Sequence, residues 1–130
     1  MSRLVLGSAL TGLLLAGAAS LAHHSLAAAY DLHAEGQVAG LFQAFHIVNP
    51  HSSMEVNVEN DDGSVTEWRF TGGSVGTLRR LGVGRFGENE LKPGDRITVT
   101  FTPAVNGESP VGLLKSITYE DGRIVQFRVD

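Results

Sequence analysis

The sequence predicts a mainly β domain, a small barrel of about five to six strands with one short helix between strands 3 and 4. Three observations predict it. Apolar and polar residues alternate with a period of two in three runs, Met54 to Glu59, Val65 to Phe70 and Arg96 to Thr102. Turn signals such as Asp-Gly and Pro-Gly recur every 8 to 12 residues or so. The third observation is that the apolar residues Val75, Leu78 and Leu81 have helical spacing instead. This order is typical of the oligonucleotide/oligosaccharide-binding (OB) barrel, so an OB-like fold is expected.

A β-sandwich is the alternative fold. It also needs short strands, but at about 100 residues it would usually show seven of them and no helix in the middle. The order of the predicted elements therefore favours the barrel.

The longest strand-like run extends from Gln37 to Val48. Its β-branched and aromatic residues occupy both alternation faces, which indicates that both sides are largely covered, and Gly40 is where we expect the strand to curve. Asn49-Pro50 predicts a turn, because proline lacks a backbone donor and moves its predecessor out of the helical region. The run Met54 to Glu59 then alternates cleanly, as a half-buried strand does.

A hairpin partner and a helix follow. Asp62-Gly63 supplies the positive φ angles of a tight turn, and Val65 to Phe70 is the partner strand. Gly72-Gly73 ends the sheet. Ser74 is the predicted N-cap of a short helix whose apolar side consists of Val75, Leu78 and Leu81.

The last part of the chain predicts three more strands after a glycine-rich passage. Leu91 to Asp95 is a turn that leads into Arg96 to Thr102, in which Ile97, Val99 and Phe101 alternate inward. Val111 to Tyr119 and Ile124 to Val129 are joined by the turn at Asp121-Gly122.

Residues 1–22 predict a cleaved signal peptide. Arg3 is the charged region, residues 4–19 are small and apolar, and Ser20-Leu21-Ala22 fits a small-x-small cleavage site. A membrane anchor is the alternative, but this apolar stretch is short and weakly apolar for a span of about 20 residues. We therefore expect a periplasmic or secreted protein without a membrane span, comprising an N-terminal arm (23–35) and a barrel domain (36–130).

Composition excludes several function classes. The chain has 14 acidic and 10 basic residues, and this acidic balance argues against binding nucleic acid. It has no cysteine, which excludes disulfides, thiolate metal sites and thiol chemistry. The sequence also lacks a nucleophile motif, HExxH and a Walker-type loop, so no enzyme class is predicted.

Several short motifs, taken in order, resemble a family of small exported bacterial proteins classed as a domain of unknown function. They are His23-His24-Ser25, Tyr30-Asp31, Asn49-Pro50-His51, Trp68, Gly73-Ser74, Leu78-Arg79-Arg80, Leu91-Lys92-Pro93-Gly94-Asp95 and Asp121-Gly122-Arg123. The chain departs from the family at Ile47-Val48 and Ser52-Ser53-Met54, where the family is often aromatic. The resemblance implies export and a barrel-like fold, and it implies no established activity.

Histidines provide the main site hypothesis. Cleavage after Ala22 would make His23 the first residue, whose α-amine and Nδ1 can chelate a metal while a second imidazole completes a nitrogen set suited to copper. His51 is the preferred second ligand because a proline turn holds it at the barrel rim, with His24 and His46 as the other candidates. The alternative is that these histidines cap backbone groups or lie in an exposed tail.

Arg79, Arg80 and Arg85 form a cationic cluster that could receive a phosphate, a carboxylate or an acidic partner, although a solvated helix face is the simpler interpretation. The sequence as a whole predicts an exported binding or accessory protein, with one copper ion as the hypothetical cofactor. An envelope protein-interaction module without a metal is the alternative. A metal-dependent redox enzyme acting at His23 is a third.

Overall fold

The computed structural model describes residues 28–107 and 110–127. In chain order, its elements are β1 (Gly36–His46), β2 (Ser53–Glu59), β3 (Val65–Thr71), α1 (Val75–Leu81), β4 (Val83–Gly84), β5 (Asn89–Glu90), β6 (Arg96–Pro103), β7 (Val111–Tyr119) and β8 (Ile124–Gln126). β4 and β5 form a small parallel pair. The other six strands form the main sheet.

Five strands of the main sheet close into a barrel. Their order is β3-β2-β1-β6-β7 with antiparallel neighbours, and β3 closes onto β7 in parallel, where Arg69–Thr71 lies beside Val111–Leu113. β8 is an extra strand on the second half of β7. The predicted OB-like barrel is confirmed, and the predicted short helix, α1, lies between the third and fourth barrel strands, β3 and β6.

β1 is the long strand that the barrel shares between its two halves. Its first half, Gly36–Leu41, pairs with β6, and its second half, Leu41–His46, pairs with β2. At Gly40, an added Cβ would lie 2.5 Å from the backbone oxygen of Asn57. Only glycine allows β1 and β2 to approach each other this closely.

β1 ends two residues before the predicted end at Val48, because a side chain replaces the neighbouring strand there. Ser52 Oγ accepts from the backbone N–H of Val48 at 3.2 Å and donates to its carbonyl at 3.1 Å. Both backbone groups of Val48 are therefore satisfied outside the sheet. Residues 47–52 form the loop from β1 to β2, in which the Asn49–Pro50 peptide bond is cis.

The core is centred on aromatic rings from β3 and β6. Phe70 is fully buried, and its ring centroid lies 5.1 Å from that of Phe101 and 5.7 Å from that of the half-buried Trp68. The inward alternation predicted for β6 is confirmed. Buried side chains from the other strands complete the core, namely Phe42, Met54, Val56, Leu114 and Ile117, together with Ile97 and Val99 of β6.

The helix begins at the N-cap that its sequence predicts. The backbone N–H of Thr77 donates to Oγ of the N-cap Ser74 at 3.2 Å, and Leu78 is fully buried. The helix ends at Gly82, whose φ of 66° is a left-handed conformation that glycine adopts readily. In the described part of the chain, no helix is long and apolar enough to span a bilayer.

The described end of the N-terminal arm is hydrogen-bonded to the barrel. Tyr30 forms an isolated bridge with Ala104, and its hydroxyl lies 2.9 Å from Oγ1 of Thr71. Asp31 donates its backbone N–H to the carbonyl of Pro103 at 2.9 Å. The arm therefore passes beside the carboxyl ends of β3 and β6.

Candidate functional site

The candidate site lies where the 47–52 loop meets the ends of three strands. We call it the histidine rim, and it consists of His46, the 47–52 loop, Ser53 and Thr71. His46 pairs with Ser53, and Ser53 pairs with Thr71, so the three residues form a row across β1, β2 and β3 with their side chains on one face. Because the hydroxyl of Tyr30 is hydrogen-bonded to Oγ1 of Thr71, the arm reaches one end of this row.

His51 lies on a loop whose backbone is held on both sides. Its neighbour Ser52 exchanges two backbone hydrogen bonds with Gly72-Gly73, at 2.7 and 2.9 Å. On the other side, Oδ1 of Asn49 accepts from the backbone N–H of Val75 at 3.1 Å. Ser52 is fully buried, whereas His51 is exposed. The imidazole of His51 is thus presented to solvent from a fixed turn.

His46 belongs to a polar network on the outer face of the sheet. Its Nε2 lies 2.9 Å from Oε1 of Glu55, and the same oxygen accepts from Nη2 of Arg69 at 2.6 Å. The Glu55 side chain is 17% exposed, against 56% for His46 and 57% for Arg69. A metal at His46 would have to displace this contact or recruit the carboxylate.

The remaining histidines are placed as follows. His23 and His24 lie outside the described residues, and so does the predicted N-terminal chelate. His33 is exposed in the arm, where its backbone N–H donates to Oδ1 of Asp31. Within residues 28–107 and 110–127, no three histidine, aspartate or glutamate side chains gather closely enough to hold a metal. A rim site with three such ligands would draw at least one of them from outside these residues.

The charge of Glu55 is stabilised by its two partners. Burial tends to raise its pKa, but the hydrogen bonds and positive charges of His46 and Arg69 outweigh burial and hold the pKa of Glu55 below its usual value of 4.5. The ionised form is therefore favoured in the folded state. Its contribution to stability is fully present above about pH 4.5 and is lost as the pH falls through the lower folded value.

We expect Glu55→Gln to make the free energy of unfolding less dependent on pH in the acid range. The wild-type free energy of unfolding should fall more steeply between about pH 5 and pH 3 than that of the variant, with a difference of at most about 1 kcal/mol because the network is on the surface. Urea titrations at each pH would measure it. Glu59→Gln is the matched control, since Glu59 is an exposed carboxylate on the same strand, and it should retain the wild-type slope. Parallel profiles for wild type and Glu55→Gln would contradict this prediction.

The three arginines predicted as a cluster have different surroundings. All are exposed, and none forms an ion pair with a described residue. The guanidinium of Arg79 lies over the ring of Phe86, 5.3 Å from its centroid, as in a cation–π contact. Arg85 lines an apolar hollow beside Phe45 and Ile47. Arg80 remains an exposed cation on α1.

A second, polar hollow of about 670 Å³ was not predicted from the sequence. It joins the Lys92–Asp95 turn to the turn between β7 and β8. In this hollow, the guanidinium of Arg123 donates hydrogen bonds to the side chains of Asp121 and Asn89, both at 2.7 Å. It also lies over the ring of Tyr119, 4.8 Å from the ring centroid. Burial raises the pKa of Tyr119 to about 12. These contacts hold the turn between β7 and β8 in place.

A family model described as a family of unknown function (DUF6152) matches residues 11–113. The chain belongs to this family. The DUF6152 match extends over the histidine rim and all barrel strands up to the start of β7. The resemblance to a domain-of-unknown-function family is thereby confirmed. A search of curated proteins and a search of solved structures found no match to the chain.

Proposed function

We propose that this DUF6152 chain is an exported, single-domain β-barrel binding protein that holds one copper ion through His23 at its mature amino terminus and the imidazole of His51. The observation that carries the proposal is the position of His51. This side chain is exposed on a turn that is hydrogen-bonded on both sides, beside the row where Tyr30 anchors the arm.

The length of the arm supports the proposal. Seven positions separate His23 from Tyr30 in the sequence. A fully extended chain covers about 3.3–3.6 Å per residue, so this segment spans at most roughly 23–25 Å, and less here because Ala28 and Ala29 are helical. The row from Thr71 to His46 crosses two strand spacings, which is about 10 Å. The maximum reach of the segment therefore exceeds the width of the row.

Donor chemistry favours copper and favours His51 over His46. The α-amine and Nδ1 of a terminal histidine, with one further imidazole, form a nitrogen set of the kind that Cu(II) prefers, and Ni(II) and Zn(II) also accept such ligands. His46 already has Glu55 as its partner at 2.9 Å, whereas His51 makes no side-chain hydrogen bond with a described residue. His24 is the alternative as second ligand.

Native mass spectrometry of the exported protein, before and after substoichiometric Cu(II), tests the proposal. We expect a mass that begins at His23 and one retained copper. His51→Ala should weaken copper binding by on the order of a hundredfold or more, because even changes in groups that only orient a ligand cost about 10- to 100-fold. His33→Ala is the matched control, since His33 is an exposed histidine of the arm, and it should leave the affinity unchanged.

Three results would overturn the copper site. They are a mature chain that begins elsewhere, copper that is lost to a mild chelator, and equal copper affinity in wild type and His51→Ala. A chain that begins at Leu21 would place His23 third and replace the terminal chelate with one that uses backbone amides. Each result would favour the protein-interaction module. Oxygen consumption by the copper-loaded protein with a reductant would instead identify a redox enzyme.

A further inference from the structure

An apolar hollow with a single charged residue in its wall lies beside the middle of β1. Its volume is about 310 Å³. Phe42 and Leu91 are buried core residues on its wall, and Phe45 and Ile47 are half-buried. Pro93 and the exposed Arg85 also line the hollow. The hollow therefore offers an apolar surface next to one guanidinium.

A β-bulge in β1 and a turn that is hydrogen-bonded to β1 form part of the wall of the hollow. The register of β1 against β2 shifts between Phe42 and Ala44, which makes Gln43 an extra residue in the strand. On the other edge of β1, the backbone N–H of Gly94 donates to the carbonyl of Phe42, and the N–H of Phe42 donates to the carbonyl of Asp95, both at 2.8 Å. The turn that carries Pro93 is thus fixed against β1, so this wall is formed in advance of any ligand.

Gly84 brings Arg85 to the opposite wall. An added Cβ at Gly84 would lie 3.1 Å from Cδ1 of Ile47, and its φ of 71° is in the left-handed region. A glycine is therefore needed for the backbone of β4 to pack so closely on Ile47. The next residue is Arg85, which makes no hydrogen bond or ion pair with a described residue and shares the hollow with no carboxylate.

The size and charge of the hollow indicate the size and chemical class of ligand that it can bind. At about 30 Å³ per water-sized group, the hollow holds on the order of ten non-hydrogen atoms. That is a small molecule, since a stable protein partner covers about 800 Å² on each side. Apolar walls favour a hydrocarbon chain, and an unpaired guanidinium favours a carboxylate, with which arginine forms two parallel hydrogen bonds.

We propose that this hollow binds a medium-chain fatty carboxylate, with the alkyl chain against Phe42, Phe45 and Ile47 and the carboxylate on Arg85. The site uses none of the histidines assigned to copper. It also gives Arg85 a role that differs from those of Arg79, which lies on Phe86, and Arg80, which is on the exposed face of α1.

Titration of the ¹⁵N-labelled protein with octanoate, followed by NMR, tests this site. We expect saturable shifts at Phe45, Ile47 and Gly84. Arg85→Ala should weaken octanoate binding about tenfold, as expected for loss of a charge-assisted hydrogen bond, while Arg85→Lys should retain part of the affinity. Arg80→Ala is the matched control and should bind like wild type. Octanol, which lacks the carboxylate, should bind wild type about as weakly as octanoate binds Arg85→Ala.

The proposal is overturned if octanoate binds wild type and Arg85→Ala equally, or if octanol binds wild type as tightly as octanoate. It is also overturned if no saturable shift occurs at the residues of the hollow. Because Arg85 is exposed, its replacement should leave the fold intact, and an unchanged circular dichroism spectrum of each variant verifies this.

Discussion

Phe70→Ala should lower the free energy of unfolding by about 3–5 kcal/mol, the largest effect that we expect from a single core substitution. Phe70 is fully buried, and its ring contacts those of Trp68 and Phe101. Truncation would lose the transfer free energy of the ring and leave a cavity between β3 and β6. With no cysteine in the chain, disulfides cannot compensate for this loss.

Equilibrium unfolding in urea, monitored by the fluorescence of Trp68, would measure the effect. Val65→Ala is the matched control, because Val65 lies on the same strand and is 62% exposed. It should change the free energy of unfolding by about 0.5 kcal/mol or less. A small loss for Phe70→Ala, similar to that of the control, would show that the ring is not packed as the structure indicates. Domains of this kind are stable by about 5–15 kcal/mol, so this loss is a large share of the total free energy of unfolding.

Gly40→Ala should also be strongly destabilising, at or above the upper end of the 1–3 kcal/mol that is typical of overpacking. The new Cβ would lie 2.5 Å from the carbonyl oxygen of Asn57 and 2.8 Å from Cγ1 of Val56. The nearest obstacle is backbone, and β2 is held between β1 and β3 by hydrogen bonds. The strands cannot separate without weakening the pairing of β1 with β2.

Gly72→Ala is the matched control for this prediction. Gly72 is also buried, but an added Cβ would meet its nearest neighbour, Cδ2 of Leu114, at 3.6 Å, which is ordinary van der Waals contact. Replacing a glycine where the backbone permits it usually stabilises by about 0.4–1 kcal/mol through the unfolded state. Thermal melts of the two variants should therefore shift in opposite directions. A common shift would contradict the close approach of β1 and β2 at Gly40.

Both proposed sites lie beside an irregular part of β1. The strand ends early because Ser52 takes the backbone groups of Val48, and this places His51 on a held turn. The bulge at Gln43 lies in the wall of the apolar hollow, a few residues before that end. Both features are departures from a regular strand, and such departures commonly orient side chains for binding.

Local patterns in the sequence determined the elements and their inward faces. Period-two alternation identifies the buried side chains of β2, β3 and β6, because side chains of a strand point alternately to its two faces. Ser74 and Gly82 mark the ends of α1, since a serine oxygen caps free N–H groups and glycine adopts a positive φ. The order of these elements was sufficient to predict an OB-like barrel.

Only the tertiary structure decided how distant segments meet. Closure of the barrel pairs Arg69 with Val111, and the loop of His51 is fixed by bonds from Ser52 to Gly72-Gly73. The apolar hollow combines β1 with Arg85 and Pro93, and its bulge has no local signal in the sequence. Alternation reports which face a residue occupies and carries no information about its partner across the barrel, because pairing depends on packing summed over the whole core.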